Sequence, residues 1–195
     1  MTGVPWDASY QGAGAPWDIG VPQSVVVRLA TAGAFRGTVL DAGCGTGENA
    51  LHLASHGLRV LGVDVAETAL AMARQKARER GIDAEFVTAD ALHLERLGRS
   101  FDTVLDVGLL HTFNGDERRR YVESLASVTK PGATVYVLCF SDQGADVGPH
   151  PVSEAELREA FGADGWDLVS IEPERVGTRF HDAGAPAWLA RVNRS

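Results

Sequence analysis

The stretch "VLDAGCGTGENALHLASHG", Val39–Gly57, sets three glycines at alternate positions, Gly43, Gly45 and Gly47, directly behind an apolar run that ends in Asp41. Glycine permits φ > 0 and close approach of backbone to another group. The spacing is G-x-G-x-G, whereas a dinucleotide fingerprint needs G-x-G-x-x-G. A phosphate-binding P-loop would need a lysine behind its last glycine, and none follows here. The loop still opens a helix, whose free N–H groups and dipole favour an anion, for which a carboxylate serves. Asp41, a negative charge at the strand tip, calls for a cation beside that carboxylate. An α-amino acid meets both demands. A tight turn without ligand is the bland alternative, and the Asp41 context argues against it.

The next strand-like run, "LRVLGVD", ends in Asp64, twenty-one residues after Gly43. An acid at this place accepts hydrogen bonds from a ribose diol, although an acidic helix N-cap would look the same. The third run ends in "TADAL", where Asp90 and Ala91 suit an adenine amino group and ring. An aspartate ending a strand is also common in turns. An amino acid joined to adenosine is S-adenosylmethionine, and that is the cofactor expected.

Around these motifs, strand-like and helix-like segments alternate from about residue 24 onward. Strands are expected at 37–43, 58–64, 84–90, 101–108, 133–140, 166–173 and 187–193, several of them near-continuous β-branched and apolar runs suited to a buried parallel sheet. Helices are expected at 48–55, 66–80, 116–129 and 153–161. Gly81 reads as a helix C′ residue, Ser153 with Glu156 as a capping box, and Pro131 as a stop. Residues 174–186 look too short and irregular for a crossover helix. The fold class expected is therefore α/β: a Rossmann-like, seven-stranded, mostly parallel sheet with helices on both faces and an antiparallel C-terminal β-hairpin. One domain is expected over 1–195, with 1–23 as an arm and 24–195 as the core.

A net charge of −8 supplies no basic footprint for nucleic acid. Arg118, Arg119 and Arg120, the one dense basic run, read as a solvated helix face. Two cysteines cannot build a disulfide framework. With neither a signal peptide nor a membrane-length apolar run, a cytoplasmic setting is expected. A metal is not expected: Asp142 and Asp146 lack the further ligands of a Mg²⁺ site, and His52 and His56 lack the H-E-x-x-H pattern. The oligomeric state is not legible.

"VLDAGCGTG", "GVDVAETAL" and "FDTVLDVGLLH" resemble successive segments of the class I S-adenosylmethionine-dependent methyltransferases, over about residues 37–140. The resemblance implies that Gly43 and Gly45 contact the methionine moiety, Asp64 the ribose, and Asp90 with Ala91 the adenine. Asp41, Cys44, Val65, Asp106 and Val107 complete the expected cofactor contacts, with no chemistry assigned to the Cys44 thiol. The N-terminal "PWDASYQGAGAPWDIGVPQ" resembles the thiopurine methyltransferase-like branch, in which a W-x3-[WY]-x6-W segment contacts cofactor; Trp6, Tyr10 and Trp17 have that spacing. Aromatic faces attract a sulfonium and exclude water, so the arm is expected to be a lid rather than mere packing. "GPHPVSEAELREAF" also resembles the branch, with His150 interrupting its double proline. Val107 stands where the halide enzymes of that branch carry tyrosine, which argues against halide as acceptor.

Ligands of open α/β sheets bind outside the carboxyl ends of the strands. The segments there not used for cofactor offer His111 as general base, and Phe113, His150, Arg179, Phe180 and His181 as acceptor wall. The expected reaction is methyl transfer to O, S or N of a small aromatic or heterocyclic acceptor. A protein or peptide methyltransferase and a cofactor-binding module without turnover are the alternatives.

Overall fold

The computed structural model describes residues 4–11, 14–144, 148 and 150–195. In chain order the elements are α1 (Val4–Ser9), α2 (Ser24–Thr31), β1 (Thr38–Ala42), α3 (Glu48–Ser55), β2 (Arg59–Asp64), α4 (Glu67–Arg80), β3 (Glu85–Thr88), β4 (Phe101–Val107), α5 (Gly115–Val128), β5 (Thr129–Phe140), α6 (Glu154–Ala160), β6 (Trp166–Thr178) and β7 (His181–Arg194). Short 3-10 turns cover Ala91–Leu97 and Leu110–Thr112. The strands form one sheet in the order β3-β2-β1-β4-β5-β7-β6. Pairing is parallel from β3 to β5 and antiparallel for β7 against both β5 and β6. The strand order reverses between β1 and β4, the place where open α/β sheets form their ligand crevice.

Each face of the sheet has its own core. On one, Val25 and Val26 of α2, Leu51 and Leu53 of α3, and Leu70 and Ala73 of α4 cover the strands. On the other, Tyr121 and Leu125 of α5 and Leu157 of α6 pack with Val104, Val135 and Val137. The expected helix signals hold in detail. Gly81 takes the left-handed conformation at φ 62°, and both bonds of the Ser153–Glu156 capping box form. Asn114 and Glu117 make a second capping box that starts α5.

Three local expectations change. β5 begins at Thr129, four residues before the expected strand, and runs through Pro131. The register jumps from Phe101↔Thr129 to Thr103↔Thr134, so an irregularity takes up the proline, which cannot donate to a ladder. Residues 174–186 are strand on both sides of a two-residue turn, not an irregular connection; β6 lies at the sheet edge, where polar residues are tolerated and mask the strand pattern. The helices α1 and α2 went unforeseen. Val25, Val26 and Val27 of α2 are β-branched and weak helix formers, and burial of Val25 and Val26 decides their state.

Asp106 anchors the end of β4. Its carboxylate accepts from the backbone N–H groups of Leu109 (2.9 Å) and Leu110 (3.1 Å) and from the Tyr121 hydroxyl (2.8 Å). Tyr121 is fully buried, so the bond ties α5 to the turn behind β4. Tyr121→Phe removes one donor to a buried carboxylate and should lower unfolding free energy by about 1–3 kcal/mol at pH 8. Urea unfolding checks this; an unchanged midpoint would mean that the bond contributes nothing.

Candidate functional site

The carboxyl ends of β1, β2 and β4 open into a cavity of about 460 Å³, within the about 300–1,000 Å³ usual for small-ligand sites. Its floor is the glycine loop. Gly43, Gly45 and Gly47 have φ of 71°, 53° and 82°, a region that L side chains rarely adopt. A Cβ on Gly45 would lie 2.9 Å from the Tyr10 hydroxyl oxygen, and one on Gly47 2.8 Å from Ala73 Cβ. The loop is glycine-rich because arm and helix close on it from both sides.

Asp64, at the tip of β2, accepts from Gly45 N at 2.8 Å through one oxygen and from Ala66 N at 2.9 Å through the other. It therefore does part of what the N-cap alternative requires, bonding the start of α4, and still lines the cavity. Burial raises its pKa, opposed by these amides. Asp90 caps the following 3-10 turn by accepting from Leu92 N at 2.9 Å, and with Ala91 and Val65 it walls the same side of the cavity.

The arm forms the roof. Asp7 of α1 accepts from the Thr68 backbone N–H at 2.7 Å and from its hydroxyl at 2.8 Å, capping α4 from outside. Tyr10 accepts from Trp17 Nε1 at 3.0 Å, and Trp17 meets the rings of Trp6 and Tyr10 edge-on, with centroids 5.8 and 6.2 Å apart. All three aromatics line the cavity. At the far end the His111 ring meets Phe140 at a tilt of 45°, centroids 4.6 Å apart, and Phe113 and His150 line the cavity with them. Burial, then His150 and Arg118, lower the His111 pKa to about 4, and its buried Nδ1 has no partner. His150 has φ 52°, the one non-glycine positive φ among the described residues.

Cys44 and Val107 also line the cavity, but Asp41, Asp106 and Arg179 do not. Asp106 is consumed by Leu109, Leu110 and Tyr121, as described above. Arg179 turns away to bond the arm, its Nε donating to Asp18 O at 2.7 Å. Asp41 lies buried beneath the loop, and its Oδ2 finds no partner. Sequence reading missed Phe140, though it ends a strand on the ligand side. It also missed Gln23, whose side chain exchanges two hydrogen bonds with the backbone of Gly177 (3.1 and 2.7 Å) across 154 residues of sequence. Among the described residues no three metal-ligating side chains cluster, and no helix is long and apolar enough to cross a membrane. Asp146 lies outside the described residues.

Comparison with known proteins identifies this arrangement. The family described as "Methyltransferase domain" matches residues 39–132. A 2-heptyl-1-hydroxyquinolin-4(1H)-one methyltransferase of Mycobacteroides abscessus is 38% identical over 92% of this chain and 85% of its own. A solved structure described as "Conversion of a Disulfide Bond into a Thioacetal Group during Echinomycin Biosynthesis" is 41% identical and covers 100% of this chain and 93% of its own, with a TM-score of 0.89. The magnesium protoporphyrin IX methyltransferase of Synechocystis with bound S-adenosylhomocysteine is 27% identical over 88% of this chain and 81% of its own, at a TM-score of 0.69. The chain belongs to the class I S-adenosylmethionine-dependent methyltransferases. It is an enzyme, and S-adenosylmethionine is its cofactor.

The two buried acids beneath the loop make stability depend on pH. Burial, then the Asp106 charge, raise Asp41 to about 7, and burial raises Asp106 to about 6. Between pH 4 and 7 the folded protein therefore holds a proton at Asp41 that the unfolded chain has released. Stability through this group falls as pH rises across that window. Asp41→Asn removes the titration, so its stability relative to wild type should grow by about 2–4 kcal/mol from pH 4 to pH 8. Urea unfolding of both proteins without cofactor measures it; a constant difference would mean that Asp41 is ionised throughout.

Proposed function

We propose that the enzyme transfers a methyl group to oxygen, sulfur or nitrogen of a small, flat aromatic or heterocyclic acceptor held against the wall that His111, Phe113 and Phe140 form. The observation that carries this reading is the continuity of one roofed cavity from the glycine loop to that aromatic wall. A peptide substrate would need an open surface instead. Two relatives support it: the Mycobacteroides enzyme is named for a hydroxyquinolinone, and the structure at TM-score 0.89 is described by a reaction at sulfur. A net charge of −8 disfavours nucleic acid as acceptor. The two buried free thiols support a cytoplasmic setting.

The residues present fit the cofactor. Asp64 spends one lone pair of each oxygen on backbone N–H groups and keeps the others, which suits a ribose diol. The buried Asp41 Oδ2 has no partner, and a nearby ammonium would draw this acid, which burial raises to about 7, toward ionisation. Ala91, Val65 and Asp90 offer an apolar slot with a polar end for adenine. Trp6, Tyr10 and Trp17 cover the site, exclude water and face a cation with π-electrons.

When bound, S-adenosylmethionine supplies an electrophilic methyl group on a positively charged sulfur. Displacement there needs collinear approach and a dry pocket, and positioning can supply about 7–11 kcal/mol. The aromatic wall orients a flat acceptor, and the arm keeps water out. His111 is neutral at pH 7, its pKa lowered by burial, so its ring can accept a proton from an acceptor O–H or S–H. A base of pKa about 4 is matched to acidic acceptors, and a kcat limb set by His111 is expected at about pH 4.

Release of S-adenosylhomocysteine from S-adenosylmethionine, with 1-hydroxyquinolin-4(1H)-one, thiophenol or phenol as acceptor, tests this reading. Turnover is expected with the first two. His111→Ala should lower kcat by about 10²–10⁴ for an acceptor still protonated at pH 7, and little for one already ionised. No turnover with any of the three, while cofactor binds, would overturn the reading.

A further inference from the structure

Three large apolar side chains that the fold leaves exposed belong to the lining of one cavity. Trp17 is 42% exposed, Val21 57% and Phe180 77%, and all three also line the cavity. Phe180 is the least expected of them on physical grounds. With Arg179 it makes the two-residue turn between β6 and β7, closed by the Thr178↔His181 pair. The Thr178 hydroxyl accepts from Phe180 N at 3.3 Å and pairs with His181 Nδ1 at 2.7 Å. Neither turn residue has a positive φ, so the backbone does not select the side chain here, and a phenyl ring standing in water adds nothing to the fold. The turn is also fixed in place. Arg179 N donates to Pro16 O at 2.9 Å, and the Gln23–Gly177 bonds hold the end of the arm to β6. Arm and hairpin thus form the two sides of one slot, with Trp17 and Val21 on the first and Phe180 on the second.

We propose that this slot is a subsite for a hydrocarbon substituent of the acceptor, which leaves the buried reacting head and passes out between arm and hairpin. The inference rests on the small-acceptor reading above and narrows it to amphiphilic acceptors, with a polar flat head and an apolar tail. The exposed rim is continuous with the cavity wall, so one tail removes water from both at once. A second protein is a poorer occupant. A stable interface covers about 800 Å² on each partner, and three side chains around a pocket mouth fall far short of that.

Isothermal titration into the full chain loaded with S-adenosylhomocysteine reads the subsite without turnover. The probes are two homologous series, 2-alkyl-1-hydroxyquinolin-4(1H)-ones and 4-alkylthiophenols, each with hydrogen, propyl or heptyl as substituent. Affinity should rise about two- to fourfold per methylene, as burial of each CH₂ requires. Phe180→Ser should cut the heptyl-to-hydrogen affinity ratio about tenfold, and Val21→Ser should move it the same way. The ratio cancels any effect of either substitution on the head. Equal affinity along both series, or a ratio unchanged in both variants, overturns the subsite and leaves the small-acceptor reading standing. A dimer that Phe180→Ser dissociates, with no tail preference, assigns the rim to a second copy and also overturns it. Failure of every head to bind overturns the small-acceptor reading and the subsite with it.

Discussion

One carboxylate holds two loops together. Asp64 accepts from Gly45 N in the loop after β1 and from Ala66 N at the start of α4, so the tip of β2 sets the distance between the two. Burial disfavours its charge, and the amides it bonds offset that cost. Ala66 sits at the N-cap position of α4 with no side chain that could cap. Asp7 supplies the cap from α1, and α4 therefore fixes where the arm docks. Tyr10 then lies over Gly45, at a separation only glycine permits. The roof over the cavity follows from the bond beneath it, and Arg179 and Gln23 carry the constraint on to the hairpin.

The electrostatics of the floor oppose stability. Asp41 and Asp106 lie on adjacent parallel strands, both fully buried, and Asp106 alone has a full set of donors. Burial pushes the pKa values of both neighbouring acids up, a pattern that is frequent at functional sites. A cationic ligand group above the loop would draw both toward ionisation. Asp106 positions the turn that carries Leu109 and Leu110, and Asp41 keeps an oxygen in reserve.

What could be read from the sequence was local. The helix Glu48–Ser55 occurs where the glycine loop ends, and Gly81 and Ser153 terminate and start helices as their chemistry demands. Gly43, Gly45, Asp64, Asp90 and Ala91 could be grouped from the sequence, and they line one cavity, because they sit at strand tips within one run of βα units. The remainder depended on distant partners. The six-residue α1 has no strong pattern of its own, and it is placed by Asp7 on Thr68, sixty-one residues away. Nothing near Arg179 in sequence foretells its bond to the Asp18 carbonyl of the arm. Gln23 carries no local signal at all, since its partner is backbone at Gly177. Asp106 gives the same sequence pattern whether its carboxylate faces ligand or the buried Tyr121 hydroxyl.

The account stands or falls on the glycine loop being the cofactor floor and Tyr10 its roof. Titration of S-adenosylhomocysteine into wild type and Gly45→Val tests this most directly, with circular dichroism to establish that both are folded. A valine at Gly45 would have to displace Tyr10 and adopt a backbone conformation that β-branched residues avoid. Wild type should bind one equivalent, and the variant should bind about 100-fold more weakly, about 2.7 kcal/mol. Equal affinity in a folded variant would place the cofactor elsewhere and contradict the account.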